Sequence, residues 1–402
     1  MFYLLLLNIL FIGLAGNEAQ SANASADTAI ISSSLKQAAD ASSDSAIMLY
    51  KKAIQLATEN LKPGLKSSIK KPLLRFLVKG YLGLGLVYYQ KIEYKEALDY
   101  YNSAYKYAVI LNEPYSIGDC QFYIAEVYLE QSRYSDAMLK YSEALAQYQK
   151  SGSKDGEFWC YSGMGIVQKQ SGNFSDAVLC YNKALNVASV NGMKNEVAYC
   201  YNNLGNVYRK QGDFPKAMSS YQKALIEFNK LKDDIAASDC LNNIGNLYLD
   251  RGDPFRALEY YNKSLNFQEV KQDDYRLIIR YKNLADVYTE LKDYENAVQF
   301  LDDATKLAEK AGDKSMIASC YAQSGKLHAA KGAKEIAIAF QKKAVTLYQE
   351  IGAKAEEAEA LVELAITESE AGILNDAIVH ALSGEDLAKQ IGAFKILLLA
   401  NK

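Results

Sequence analysis

With 402 residues the chain could hold two or three ordinary domains or one long repeat array, and a composition of 50% hydrophobic and 23% charged residues with only 5 Pro leaves long stretches free to be helical. Its 45 basic and 48 acidic residues leave a net charge of −3, which excludes a general attraction to phosphate backbones, so nucleic acid is not an expected partner. The 2 His and single Trp offer little material for catalysis, whereas Tyr is abundant at 31 copies.

The apolar run from Met1 to Leu14 is too short to span a bilayer comfortably. Small residues follow at Ala22 and Ala24, and residues 1–24 read as a signal peptide, although the n-region has no Lys or Arg. The expectation is export to a periplasm, a cell surface or the medium. The alternative is a chain anchored to the membrane by an uncleaved N-terminal segment. A lipid anchor is disfavoured because Asn17 follows Leu14-Ala15-Gly16, where a Cys would be required.

Residues 25–60 are expected to form a degenerate helix pair, the first helix from about Thr28 to Ala41 and the second over 44–58, where Ala46, Tyr50 and Ala53 share one face. Residues 61–80 read as a basic linker and the start of the next helix, with the link proper running from Lys62 to Pro72. Lys62, Lys66, Lys70, Lys71, Arg75, Lys79 and Lys91 face no acid between Asn60 and Ile92. A solvated linker and helix face explains them, and the alternative is an anionic or peripheral membrane contact through 62–79.

From residue 81 to residue 400 the chain divides into eight frames of 40 residues without insertion or deletion. The seventeenth residue is alanine every time: Ala97, Ala137, Ala177, Ala217, Ala257, Ala297, Ala337 and Ala377. Four residues on stands Tyr in the first five frames, from Tyr101 to Tyr261, and three beyond that a small residue such as Ala104 or Ala224. These are steps along one helical face. Twelve residues before each alanine is Gly or Ala, as in Gly85, Ala125, Gly205 and Ala285, so a second helix faces the first and small residues let the two approach. Gly172, Gly212, Gly252, Gly332 and Gly372 mark one break, and Gly152, Gly192, Gly312, Gly352 and Gly392 the other. Helices of about 16 residues joined by short turns follow. After Gly392, Ala393 to Ala400 begins a further first helix, either a cap or the start of a repeat that continues in a longer chain.

Tyr201-x-x-Leu204-Gly205-x-x-Tyr208 followed by Ala217-x-x-x-Tyr221-x-x-Ala224 resembles the tetratricopeptide repeat signature, with Tyr in the usual Trp place. The resemblance covers 81–400 and departs in its period, which is similar to the long-repeat subclass of kinesin light chains and of G-protein-signalling regulators. It is also similar to exported repeat regions of bacterial sensor proteins. The resemblance implies an all-α fold, a right-handed α-solenoid of antiparallel helix pairs, and a protein-interaction scaffold in place of an enzyme.

Cys120, Cys160, Cys200, Cys240 and Cys320 all fall on the last residue of a frame. Equivalent positions on successive repeats lie roughly 10 Å apart, beyond the about 7 Å limit for a disulfide, so buried thiols are expected. His328 replaces a first-helix Tyr, and neither it nor His380 has neighbours at metal-ligand spacing, so no metal or cofactor is expected. The Gly-x-Gly pairs Gly83/Gly85 and Gly163/Gly165 lie inside helical patterns, and Arg251-Gly252-Asp253 repeats the turn at Gly212-Asp213.

The resemblance further implies that frame positions 2, 6, 9 and 10 line a groove. There the chain places Asn202, Asn206, Arg209 and Lys210, then Asn242, Asn246 and Asp250, then Lys282, Asp286 and Glu290. Asparagine amides can both donate to and accept from an extended peptide backbone. Asn206, Asn246 and Lys282 match positions of the carboxylate clamp of chaperone-binding tetratricopeptide domains. Asn202 and Asp286 depart from it, which points to an internal segment of mixed charge. The adjacent Asn203 and Asn243 leave open that repeat duplication carried Asn202 and Asn242 along without a ligand. The expected function is binding of an extended peptide or partner protein, and the alternative is the sensory input region of a longer envelope signalling protein.

Overall fold

The computed structural model describes residues 26–267 and 272–391. The segment read as a leader, and Gly392 with the helix expected from Ala393, lie outside the described residues. Those described are all-α, in helices that pair antiparallel with their neighbours in sequence. Residues 26–128 and 136–160 make one compact unit, and residues 129–135 with the described part of 161–391 make another.

The first unit begins with α1 (Ala26–Ala39), α2 (Ser43–Asn60), α3 (Ser67–Gln90) and α4 (Tyr94–Leu111). Ile31, Leu35, Tyr50, Ala53, Leu73 and Leu77 close a core between α1, α2 and α3. The link is shorter than expected, because α3 starts at Ser67 and contains Pro72. An interior proline costs about 3 kcal/mol or more. Leu73, Leu74 and Leu77 are at most 2% exposed, and each such burial contributes about 1.5–3 kcal/mol, so the helix persists through the proline. Next come α5 (Pro114–Glu130), α6 (Tyr134–Ser151) and α7 (Lys154–Gln170).

The second unit continues with α8 (Phe174–Val190), α9 (Lys194–Gln211), α10 (Phe214–Leu231), α11 (Asp234–Asp250) and α12 (Pro254–Leu265). It closes with α13 (Asp274–Glu290), α14 (Tyr294–Ala311), α15 (Lys314–Ala330), α16 (Lys334–Ile351), α17 (Lys354–Glu370) and α18 (Leu374–Ile391). Each frame therefore supplies a first helix and a second helix, most of 17 or 18 residues; α12 has only 12.

All eight ruler alanines are buried, seven of them with no exposed surface. The facing small residue is dictated by the tyrosine that follows. A Cβ on Gly205 would sit 2.5 Å from the Tyr221 ring, one on Gly245 2.5 Å from Tyr261 and one on Gly165 2.8 Å from Tyr181. Where the tyrosine is replaced by the smaller Leu301 or Ala381, the glycine becomes Ala285 or Ala365. The second frame keeps both Ala125 and Tyr141, and the packing does not explain that exception.

The turns fall every 20 residues in left-handed backbone. Gly212 (φ 78°) and Gly312 (φ 68°) take it without strain, while Asn112, Ser132 and Lys232 adopt it with a side chain present. Asp213, Asp233, Asp253, Asp273, Asp293 and Asp313 each accept from the backbone N–H three residues on and so cap the next helix. Asp253 of the Arg-Gly-Asp tripeptide is thus a helix cap.

Candidate functional site

The residues expected at the groove lie on α9, α11 and α13, the first helices of three successive frames. The asparagines at frame position 2 each accept from an asparagine at frame position 3 of the next repeat. Asn243 donates its Nδ2 to Asn202 Oδ1 at 3.1 Å, and Asn283 donates to Asn242 Oδ1 at 2.7 Å. Gln323 continues the series, donating to the Lys282 carbonyl at 2.7 Å and to Asp286 Oδ1 at 2.5 Å. The row is a ladder that ties each first helix to the next, and Asn243 has a structural task that neither sequence reading foresaw.

The asparagines at frame position 6 serve the buried tyrosines. Tyr221 donates its hydroxyl to Asn206 Oδ1 at 2.8 Å, and Tyr261 donates to Asn246 Oδ1 at 2.6 Å. Both rings are fully buried, so an unpaired hydroxyl would cost about 1–3 kcal/mol. Glu126 accepts from Tyr141 in the same way. Each tyrosine fixes the orientation of its asparagine and takes one of the two lone pairs on the amide oxygen, which leaves the amide hydrogens of Asn206 and Asn246 as donors for a ligand.

Farther along the same helices the face is charged. Arg209 meets Asp250 at 2.6 Å across two frames, and Lys210 is exposed beside them. Lys169, at the frame position that Arg209 holds one repeat later, completes this cationic stretch. Burial first, and then the charges of Lys210 and Arg209, push its ammonium below the usual lysine range. Sequence reading missed Lys169 although it stands on the ruler.

At α13, α15 and α17 the face opens into a recess of about 290 Å³. Lys282 and Asp286 stand on one wall; Lys326, Glu359 and Glu363 face them. Lys282 donates to Ser319, and burial lowers its pKa. Burial raises the Asp286 pKa against the opposing influence of Gln323 and Lys282. Lys326 lies 3.5 Å from Glu359 and 3.3 Å from Glu363. The recess extends the row expected from sequence by two first helices, and its polar residues at frame positions 3 and 6 were the signal to find it.

The other singled-out residues have packing roles. Cys120, Cys160, Cys200, Cys240 and Cys320 are buried free thiols, and Cys180 is free and half-buried. Burial pushes the Cys200 and Cys240 thiols up to about 12. His328 stacks on Phe340 with ring centroids 5.5 Å apart, and His380 Nδ1 lies 2.7 Å from the buried Glu368. Arg75 of the basic segment pairs with Glu113. Among the described residues no His, Cys, Asp and Glu cluster is set to hold a metal ion, and no helix is long and apolar enough to cross a membrane.

A tetratricopeptide repeat model matches residues 122–189, 196–269 and 275–350, and a second tetratricopeptide repeat model matches 82–152. No curated protein sequence matches the chain. Among solved structures, the chain is similar to a Rap protein complexed with competence and sporulation factor, at 13% identity and TM-score 0.61 over 90% of this chain and 99% of that one. It is similar to the apo quorum sensor NprR from B. thuringiensis, at 17% identity and TM-score 0.53 over 89% and 98% of the two chains. A Rap conjugation gene regulator of plasmid pLS20, in complex with a peptide, gives 14% identity and TM-score 0.54 over 91% and 95%. At these identities the likeness is one of fold alone.

Proposed function

The chain belongs to the tetratricopeptide repeat family, and from that premise we propose that it binds another polypeptide as an extended segment laid along the first helices from α9 to α17. The observation that carries this reading is the orientation of Asn206 and Asn246. Their oxygens are held by Tyr221 and Tyr261, which leaves amide donors in successive repeats for the carbonyls of a ligand backbone. Equivalent positions on neighbouring repeats are about 10 Å apart. A segment in polyproline-II conformation returns to the same side every three residues, about 9 Å, and so offers one carbonyl to each repeat. The cationic stretch at Lys169, Arg209 and Lys210 and the more acidic recess beyond it suit a ligand with both signs of charge. Two of the chains of similar fold were solved with a bound factor or peptide, which supports the reading by analogy.

Selection of displayed random peptides against the purified protein, followed by hydrogen exchange of the complex, tests it. Selected peptides are expected to slow exchange in α9, α11 and α13. Protection confined to other helices would overturn the proposed face. Asn206→Ala is a poor control because it orphans Tyr221; Lys210→Glu alters the face without touching the core. We propose as well that the chain acts outside the cytoplasm, on the strength of the run from Met1 to Leu14. N-terminal sequencing of the fractionated protein tests this, with processing near Ala24 as the expected result.

A further inference from the structure

The recess at α13, α15 and α17 is lined by one residue that departs from the frame. Position 21 of the frame is Tyr in the first five frames and Gln341 in the seventh. The glycine that elsewhere makes room for the ring is nevertheless retained as Gly325, with the Gln341 Cγ 2.5 Å from where its Cβ would stand. Gln341 therefore takes the place beside the glycine that the ring takes in the earlier frames, ends short of where a tyrosine hydroxyl would reach, and lines the recess.

Two independent features of this space ask for the same chemistry. Gln341 is 2% exposed; its Nε2 donates to Thr367 Oγ1 at 2.9 Å, while its Oε1 has no hydrogen-bond partner among the described residues. A buried acceptor in a recess calls for a donor from outside. The charges lining the recess are also unequal. Asp286, Glu356, Glu359 and Glu363 face only Lys282 and Lys326. Lys326 is shared between Glu359 and Glu363, and Glu356 adds a further carboxylate to the lining. The missing partner is therefore both a hydrogen-bond donor and a cation.

We propose that this recess is the anchor pocket for a lysine or arginine side chain of the bound polypeptide, its N–H groups donating to Gln341 Oε1 and its charge balanced by Glu356, Glu359 and Asp286. The inference rests on the polypeptide-binding reading above and adds to it the identity and place of one ligand residue. An arginine fits the site better than a lysine, because its planar fork can reach the floor oxygen and a wall carboxylate together. Together with the cationic stretch at Lys169, Arg209 and Lys210, the pocket also sets the direction of the ligand, basic end over α15 and α17 and acidic end over α9.

The test uses N-acetyl-arginine methylamide, too small to span the face, titrated into the full chain carrying methyl-labelled alanine. Ala322 and Ala360 line the recess and report on it. Their methyl signals are expected to shift saturably with the arginine probe and at least tenfold more weakly with the uncharged citrulline analogue. Gln341→Tyr, which restores the residue of the first five frames, is expected to fold, to fill the recess and to abolish the shifts. Equal response to both probes, no response, or an unchanged response in Gln341→Tyr would overturn the pocket. If selected peptides protect α9 to α13 while the arginine probe leaves the recess silent, the binding face stands and the pocket falls. If the probe binds and no peptide is retained, the pocket stands and the face falls.

Discussion

The ring of Tyr221 on α10 fills the space in which a side chain at Gly205 on α9 would begin, 2.5 Å from the position of its Cβ. Overpacking of this kind costs about 1–3 kcal/mol, and alanine recovers up to about 1 kcal/mol of helix propensity over glycine. Gly205→Ala is therefore expected to lower stability by about 1–2 kcal/mol in urea denaturation. The sixth frame pairs Ala285 with Leu301, so Gly205→Ala combined with Tyr221→Leu is expected to lose less than the two single changes added together. Strict additivity would show that the contact is not what couples the two positions.

Tyr181 is the natural control for the paired hydroxyls. Its frame carries Ile166 where Asn206 and Asn246 stand, and the buried Tyr181 hydroxyl has no hydrogen-bond partner among the described residues. Tyr181→Phe is expected to be neutral or stabilising, whereas Tyr221→Phe and Tyr261→Phe each cost about 1 kcal/mol by leaving an asparagine oxygen unmet. Thermal unfolding of the three variants reads the difference, and equal losses in all three would contradict it.

Arg280 occupies the frame position held elsewhere by the periodic cysteines and is 2% exposed. It donates to Asp239, which also lies 3.5 Å from Arg276. Removing one partner of a buried pair costs about 3–5 kcal/mol. Asp239→Asn is expected to approach that loss, and Arg280→Cys, which restores the ruler residue, to lose much less. Chemical denaturation of the pair of variants checks the ranking.

Burial holds the Asp119 carboxyl up at about 7, although Tyr148 donates to it at 2.7 Å. Unfolded, the same group titrates near about 3.9. Between these values the folded chain holds the extra proton, so this group's contribution to stability is complete below about pH 4, declines as pH rises and is gone above about pH 7. Asp119→Asn is expected to stabilise the protein by a few kcal/mol at pH 8, an order-of-magnitude figure, with almost no effect at pH 4. A denaturation series across that range would refute this if the gain were independent of pH. Tyr115 lies near the same group and, with its other acidic neighbour Asp155, is kept unchanged in the comparison.

The repeat itself was legible in the chain, because its alanines, tyrosines and glycines answer to contacts within one helix pair and recur wherever that pair recurs. Frame length, helix pairing, turn positions and the burial of the periodic cysteines all follow from such local packing. What Asn202, Asn206, Asn242 and Asn246 do was decided only in three dimensions. A polar side chain on a helix face reads the same whether it waits for a ligand or bonds to a neighbour 15 or 41 residues away. The recess beside Gln341 was hidden for a related reason: its polar residues at frame positions 3 and 6 read as solvated helix faces until α13, α15 and α17 are brought side by side.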